Sequence, residues 1–279
     1  MNVEQIITDR LIALLDAGTV PWRKTWKGGG VPVNAVSKKA YRGINYFLLS
    51  CSGFSDSRWL TYKQASALGG NVKKGEKGTP VIYWSLVEKE QGDITKKSAF
   101  LRYYTVFNAE QCEGLKIETQ ACPQEFVPVE AARQLVENTQ ANIKHGGTSA
   151  FYSPSDDLIQ MPAPEKFESA DSYYHTLFHE LAHWTGHTSR LGREGVASVA
   201  RFGSETYSRE ELVAEMASAF VSAKVGITPD FDNSAAYLKE WIKVLKGDSK
   251  LALKAASAAS KAVDFIMGEH EPDEEKATA

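Results

Sequence analysis

Tyr173-Tyr-His-Thr-Leu-Phe-His-Glu-Leu-Ala-His-Trp-Thr-Gly-His187 is the stretch on which the reading of this chain turns. Within it lies His179-Glu180-Leu181-Ala182-His183, the HExxH pattern. Residues four apart on a helix lie one above the other on the same face. His179 and His183 can therefore aim two imidazoles at one ion, with Glu180 beside them. Three protein ligands and a water make a hydrolytic zinc site, and a neighbouring carboxylate can take the water's proton. Leu177, Phe178, Leu181, Ala182 and Trp184 make the segment apolar, so the helix should be buried. Buried imidazoles and a buried Glu need partners, which a metal supplies. Gly186 should end the helix.

A third ligand belongs downstream. His187 is the local candidate, four residues after His183 rather than the six of the metzincin pattern, and it follows the helix stop. The stronger candidate is Ser208-Arg-Glu-Glu-Leu-Val-Ala-Glu215, where Glu211 and Glu215 share one helical face. This stretch resembles the ExxxD helix of the gluzincin metallopeptidases, with Glu in place of Asp. The resemblance implies that Glu211 binds the metal and that Glu215 orients a ligand histidine, as outer-shell carboxylates do. Two alternatives stay open. Ser208-x-x-Glu211 is also a capping box, which would turn Glu211 toward the backbone. In that case Glu215 becomes the ligand. Tyr207, just ahead of this helix, could donate to a developing oxyanion, or could be an ordinary packed tyrosine.

The 279 residues allow one large domain or two ordinary ones, and a hydrophobic content of 43% supports packed cores. No apolar run approaches a membrane span. Residues 1–10 lack the basic start and apolar block of a secretion signal. Cys51, Cys112 and Cys122 are odd in number and without metal-type spacing, as expected of free thiols in a reducing cytoplasm. The net charge of −3 conceals an asymmetry: residues 1–107 carry 16 Lys+Arg against 8 Asp+Glu, and the remainder 16 against 27. A basic module joined to an acidic one raises the expectation of a nucleic-acid partner.

The basic module interleaves aromatics with cations. Trp22-Arg23-Lys24-Thr25-Trp26 precedes a triple glycine; Lys38, Lys39, Tyr41 and Arg42 follow, then Lys63, and Lys73, Lys74 and Lys77 in a basic turn. Cations neutralise phosphates and aromatic faces stack on unpaired bases, a combination suited to single-stranded DNA. Duplex bases offer no such face. Strand aromatics such as Tyr83 and Trp84 read instead as core.

Coarser elements complete the reading. Val3 to Leu15 is an amphipathic helix. Trp59 to Gly70 reads as a short helix stopped by glycine. Val81–Val87 and Ala99–Phe107 read as strands around a charged loop over 88–98. Asn108 to Val127 reads as a connector. Val129–Ile143 reads as a helix, and Ser149–Tyr152 and Leu158–Met161 as short strands before the HExxH helix. Arg190–Tyr207 reads as a lid or cleft rim. Ala235–Leu245 and Leu251–Met267 read as helices. The fold class expected is α+β in two domains. Residues 1–125 are expected to form a small basic DNA-binding domain, 126–268 a mainly helical domain whose order of helix, short strands and HExxH helix resembles a zincin-like metallopeptidase domain, and 269–279 a disordered acidic tail.

Taken together, the chain resembles antirestriction proteins of the ArdC type, carried by conjugative plasmids. The carrying residues are Asn34 with Tyr41–Asn45, Trp59–Gln64, Gly69-Gly70 with Val72–Gly78, Val106–Gln111, Phe178–His187 and Glu210–Glu215. The resemblance implies an N-terminal domain that binds single-stranded DNA and a C-terminal zincin-like metallopeptidase domain. It implies protection of incoming DNA from host restriction. One divalent metal is expected, Zn first, with Mn or another ion as alternatives. The expected partners are single-stranded DNA and a host protein substrate, with no membrane. The competing reading is a protein that protects by coating DNA, its zincin domain catalytically silent.

Overall fold

The computed structural model describes residues 3–18, 31–91, 94–116, 128–197, 205–228 and 242–269. It is a mixed α+β chain with two compact units. Residues 26–119 make the body of the first and 120–270 that of the second; the division also passes through the N-terminal helix α1 (Val3–Asp16), between Leu11 and Ile12.

The first unit is built on a four-stranded sheet ordered β1 (Val33–Asn34), β2 (Arg58–Thr61), β5 (Ile94–Asn108), β4 (Thr79–Gln91). β1 runs parallel to β2; the other pairings are antiparallel. β3 (Asn71–Val72) and β6 (Cys112–Glu113) form a small separate ladder. Period-2 alternation divides the apolar residues of β2 between two cores. Trp59 joins Leu49, Val81 and Val106 in one, and Leu60 joins Ala35, Ala65 and Cys112 in the other. α2 (Ile44–Ser50) lies against β4, and α3 (Tyr62–Ala67) follows β2 directly.

Two expectations fail here. Trp59 to Gly70 is not one helix, because Trp59 and Leu60 are extended; α3 begins only after Thr61, whose hydroxyl accepts from Gln64 N in a reciprocal capping box. The charged stretch 88–98 is not a wide loop either. The ladder runs out to Gln91 opposite Ile94 and sets Glu88 opposite Lys97. Backbone pairing alone carries the ladder there, so a hydrophilic sequence did not mark a loop.

The second unit opens with α4 (Pro128–Thr139). A three-stranded sheet follows, ordered β7 (Ile143–His145), β9 (Leu158–Met161), β8 (Phe151–Ser153). The helix expected to reach Ile143 stops at Thr139. Gln140 turns into the left-handed region at φ 55, and Ile143 pairs in parallel with Ile159. Next come α5 (Ala170–Thr185), α6 (Glu194–Ala197), α7 (Glu205–Lys224) and α8 (Leu251–Met267). α5, α7 and α8 pack together. Leu177 and Leu181, Leu212 and Met216, and the small side chains Ala252, Ala256 and Ala259 all fall at 0–1% exposure there. That burial holds the HExxH helix against the helix carrying Glu211.

Candidate metal centre

α5 starts at Ser169, whose hydroxyl accepts from Ser172 N, and ends at Gly186. Gly186 has an ordinary negative φ, so it is not there for a left-handed turn. It is there for room: a Cβ would come within 2.6 Å of Val196 Cγ2 and 2.9 Å of Arg193 Nη2. α7 begins at Glu205, which puts Ser208 inside the helix and removes the capping-box alternative for Glu211.

His179 Nε2 and His183 Nε2 face each other at 3.2 Å, their rings 78° apart. Glu211 reaches both, Oε2 at 3.5 Å from His179 Nε2 and Oε1 at 3.5 Å from His183 Nε2. One ligand atom from each of these three residues lies within 4.8 Å of the others. Two imidazole nitrogens at this separation, with a carboxylate across from them, call for positive charge between them. Burial alone would lower the His179 pKa. The hydrogen bond to Glu211 and the charges of Glu215, Glu180 and Glu211 outweigh it and push the pKa up to about 9. Burial alone would raise Glu211. Hydrogen bonds from His179 and Tyr207 and the charges of both imidazoles instead pull it down to about 2. A proton on His179 thus satisfies, in the metal-free protein, the same charge that a cation would. The donor set of two imidazoles and one carboxylate fits a divalent metal.

Glu180 is buried at 7% exposure and close enough to act on His179 by charge. Tyr207, one turn before Glu211, hydrogen-bonds to the Glu211 carboxylate. Glu215 influences His179 by charge and makes no side-chain hydrogen bond to either imidazole among the described residues. Besides Glu211, the carboxylate that touches one of these histidines is Glu210, whose Oε1 lies 3.3 Å from His183 Nδ1. Sequence reasoning passed over it because adjacent residues diverge by about 100° on a helix. A ring with nitrogens on two edges can be reached from both directions.

His187 lies outside the cluster; its Nδ1 pairs with Ser189 Oγ at 2.7 Å. His145 pairs with the Tyr173 hydroxyl at 2.8 Å. His175, buried one turn before His179, has Nδ1 3.0 Å from Ser222 Oγ and Nε2 3.4 Å from Ser218 Oγ, both on α7. The segment expected to be a lid, Arg190–Tyr207, is pinned over 190–197, and its last described residues, 205–207, belong to α7. Arg190 lies 4.0 Å over the Trp184 ring and donates to the Trp184 carbonyl at 2.6 Å and to Asp157 Oδ2 at 3.0 Å. Arg193 forks onto Glu210 and onto the end of α5.

Trp22, Arg23, Lys24 and Trp26 lie outside the described residues, as does the side chain of Trp84. Lys38, Lys39, Arg42, Lys63, Lys74 and Lys77 are exposed. Lys73, also exposed, donates to the Glu110 carbonyl at 2.9 Å. Tyr41 is half-buried against the Trp59 core and accepts from Asn34 Nδ2 at 3.4 Å; its burial raises its pKa. Tyr83 is half-buried, its ring centroid 5.1 Å from that of Tyr104. Tyr62, Tyr103 and Tyr104 are the exposed tyrosines of the described chain, at 57%, 49% and 45%. None stood out in the sequence, because Tyr103 and Tyr104 sit in an alternating run that reads equally as core.

An HExxH helix, a second helix supplying the acid and a small sheet before them define a zincin-like metallopeptidase domain. Residues 130–258 match the family model described as a zincin-like metallopeptidase. Residues 1–107 match that of the N-terminal domain of anti-restriction factor ArdC. The antirestriction ArdC protein from the R388 plasmid superimposes with a TM-score of 0.80 in its metal-free structure, at 39% identity, covering 96% of this chain and 98% of that one. Its Mn(II)-bound structure gives 0.78 at the same identity and coverage. An uncharacterized protein of Sinorhizobium fredii, y4eC, is 32% identical over 95% of this chain and 91% of its own length. Two Escherichia coli proteins called DNA primase TraC are each 41% identical over 94% of this chain, which spans only 20% and 26% of their lengths. The chain belongs to the ArdC family of antirestriction proteins.

Proposed function

We propose that this protein binds single-stranded DNA through its N-terminal unit and hydrolyses a protein substrate at the HExxH centre, protecting incoming conjugative DNA from restriction. The observation that carries the peptidase half is the convergence of His179, His183 and Glu211 from two helices. These three would hold one divalent cation; zinc suits the donor set, and the Mn(II) of the R388 relative makes manganese the ion to test beside it. When bound, the metal supplies Lewis acidity and a water that ionises near neutral pH. Glu180 takes the proton of the attacking water and passes it to the leaving amine. Tyr207, one turn before Glu211, is placed to donate to the oxyanion once its bond to that carboxylate is released. Glu215 supports the site by charge.

The DNA-binding half rests on the first unit's excess of basic residues and its exposed tyrosines. Cross-strand pairing sets Thr61 opposite Val106, so Tyr62 begins α3 beside the stretch of β5 that carries Tyr103 and Tyr104. Tyr62 and Tyr103 supply stacking faces, with Lys38, Lys39 and Lys63 for phosphates. We place the boundary between the domains after β6 (Cys112–Glu113), whose ladder with β3 and whose Cys112 still belong to the first unit.

The test uses Glu180→Gln in the full chain. Metal content, DNA binding and melting temperature should match the parent while proteolysis and antirestriction disappear. If antirestriction survives in full, the protein protects by coating DNA and hydrolysis is not its mechanism.

A further inference from the structure

One ion pair at the centre is buried, costly and unassigned by the reading above. The Glu210 side chain is 8% exposed and that of Arg193 12%. Taking two charges out of water is unfavourable unless the geometry is close and further hydrogen bonds hold the remaining donors. The geometry here is close, and four of the five guanidinium N–H groups have partners. Arg193 Nη2 lies 2.6 Å from Glu210 Oε1 and Nε 3.0 Å from Oε2, a planar fork on a carboxylate. Two further donors go to Thr185 Oγ1 at 2.8 Å and the Ala182 carbonyl at 2.6 Å, in the last turn of α5.

Two glycines make room for this arrangement. A Cβ on Gly186 would meet the Arg193 guanidinium at 2.9 Å, and one on Gly195 would meet Glu210 Cβ at 2.7 Å. A side chain at either place would force Val196, Arg193 or Glu210 to shift.

The carboxylate so held looks at one atom of the centre. Glu210 Oε1 is 3.3 Å from His183 Nδ1, while the opposite edge of the ring, Nε2, faces His179 and Glu211. A carboxylate at Nδ1 accepts a hydrogen bond only if Nδ1 carries the proton. The lone pair is then on Nε2, the nitrogen turned toward the metal position. Glu210 and Glu211, neighbours on α7, therefore address the two edges of one imidazole.

We infer that the Arg193–Glu210 pair is a positioning device that fixes the tautomer and tilt of His183, and that the centre's affinity for its metal depends on it. The inference rests on the metal reading of His179, His183 and Glu211. Arg193 aims Glu210; Glu210 aims His183; neither touches a substrate. A merely structural salt bridge between the α5–α6 loop and α7 would stabilise the fold and leave metal affinity alone.

The experiment measures Zn(II) and Mn(II) affinity of the full-length protein by chelator competition. In the metal-free protein, nitrogen-15 NMR of the His183 ring reports the tautomer. Glu210→Ala should weaken metal binding about 10- to 100-fold, the range for removing an outer-shell partner of a ligand histidine. It should also populate the Nε2–H tautomer. Glu210→Gln, whose amide oxygen can still accept from Nδ1–H, should recover most of the affinity and the Nδ1–H signal. Arg193→Met should fall between the two. Leu135→Ala, on the buried face of α4 and 8% exposed, destabilises the same unit without touching the centre and should bind metal like the parent. Parent-like metal affinity in Glu210→Ala overturns the inference, as does an equal loss in Leu135→Ala. If Glu210→Ala does not fold, Arg193→Met decides on the same criterion. Glu211→Ala separates the two layers: loss of metal there with affinity kept in Glu210→Ala sinks this inference alone, whereas metal kept in Glu211→Ala sinks the metal reading itself.

Discussion

The seam between α5 and α7 and the tyrosine-bearing surface of the first unit are both made of ordinary side chains, yet they differ in how tightly chemistry constrains them. At the seam, a cation asks for three donor atoms within 4.8 Å, and only a few residue types at helical spacing supply them. On the sheet, a stacking face asks only for an exposed ring beside a cation. Whether a ring is exposed depends on which face of a strand it occupies and on what covers that face. The first kind of site shows in a motif; the second needs coordinates.

The largest effect should separate the seam's own members. Removing His179 or Glu211 should abolish stoichiometric metal binding, while Glu215→Ala should cost less than about tenfold, measured by chelator competition. Equal losses for Glu211 and Glu215 would restore the four-residue pairing as the functional one. Next, Glu180→Gln should reduce peptide hydrolysis by at least about 100-fold with metal content unchanged. Residual turnover near the parent's would remove Glu180 as the base. On the sheet, Tyr62→Ala and Tyr103→Ala should each weaken single-stranded DNA binding by about 1–3 kcal/mol and leave duplex binding nearly untouched, as read by anisotropy titration. Lys63→Met should instead lower the salt slope by about 0.7. If the tyrosine variants bind normally, the stacking face lies elsewhere, and Trp22 and Trp26 become the residues to test.

A smaller effect concerns pH. His179 titrates higher in the folded protein than the ordinary 6.5, at about 9, so its contribution to stability is complete below 6.5 and lost as pH rises through 9. Glu211 titrates lower than 4.5, at about 2, so its contribution is present above 4.5 and lost as pH falls through 2. As far as these two groups decide it, the metal-free protein is most stable between 4.5 and 6.5. A metal competes with the His179 proton, so the rise in Tm on adding Zn(II) should grow between pH 6.5 and 9, read by thermal scans with and without chelator. A rise in Tm independent of pH would show that the metal does not displace that proton.

Much of the seam was legible in the sequence. His179, Glu180 and His183 follow from the HExxH spacing, Glu211 from the resemblance to the gluzincin helix, and the burial of Leu177, Phe178 and Leu181 from the apolar run. Glu210 was not legible, because helical periodicity pairs residues that share a face. The Glu210–His183 contact depends instead on the width of an imidazole and on Arg193, seventeen residues away. In the first unit the β2–α3 junction was missed because Trp59 and Leu60 are both apolar, and one residue of alternation is too short a record to show a strand. Thr61 and Gln64 did carry the signature of a helix start, three residues apart. The long β4–β5 ribbon was missed because its outer half is as hydrophilic as a loop.

His175 couples to Ser218 and Ser222 with both ring nitrogens, deep between α5 and α7 and one turn from His179. Sliding either helix by a turn would break both bonds at once and strand an imidazole in an apolar interior. The two helices are thereby indexed against each other without help from any ion. That indexing keeps the helices carrying His179, His183 and Glu211 in register through polypeptide contacts alone.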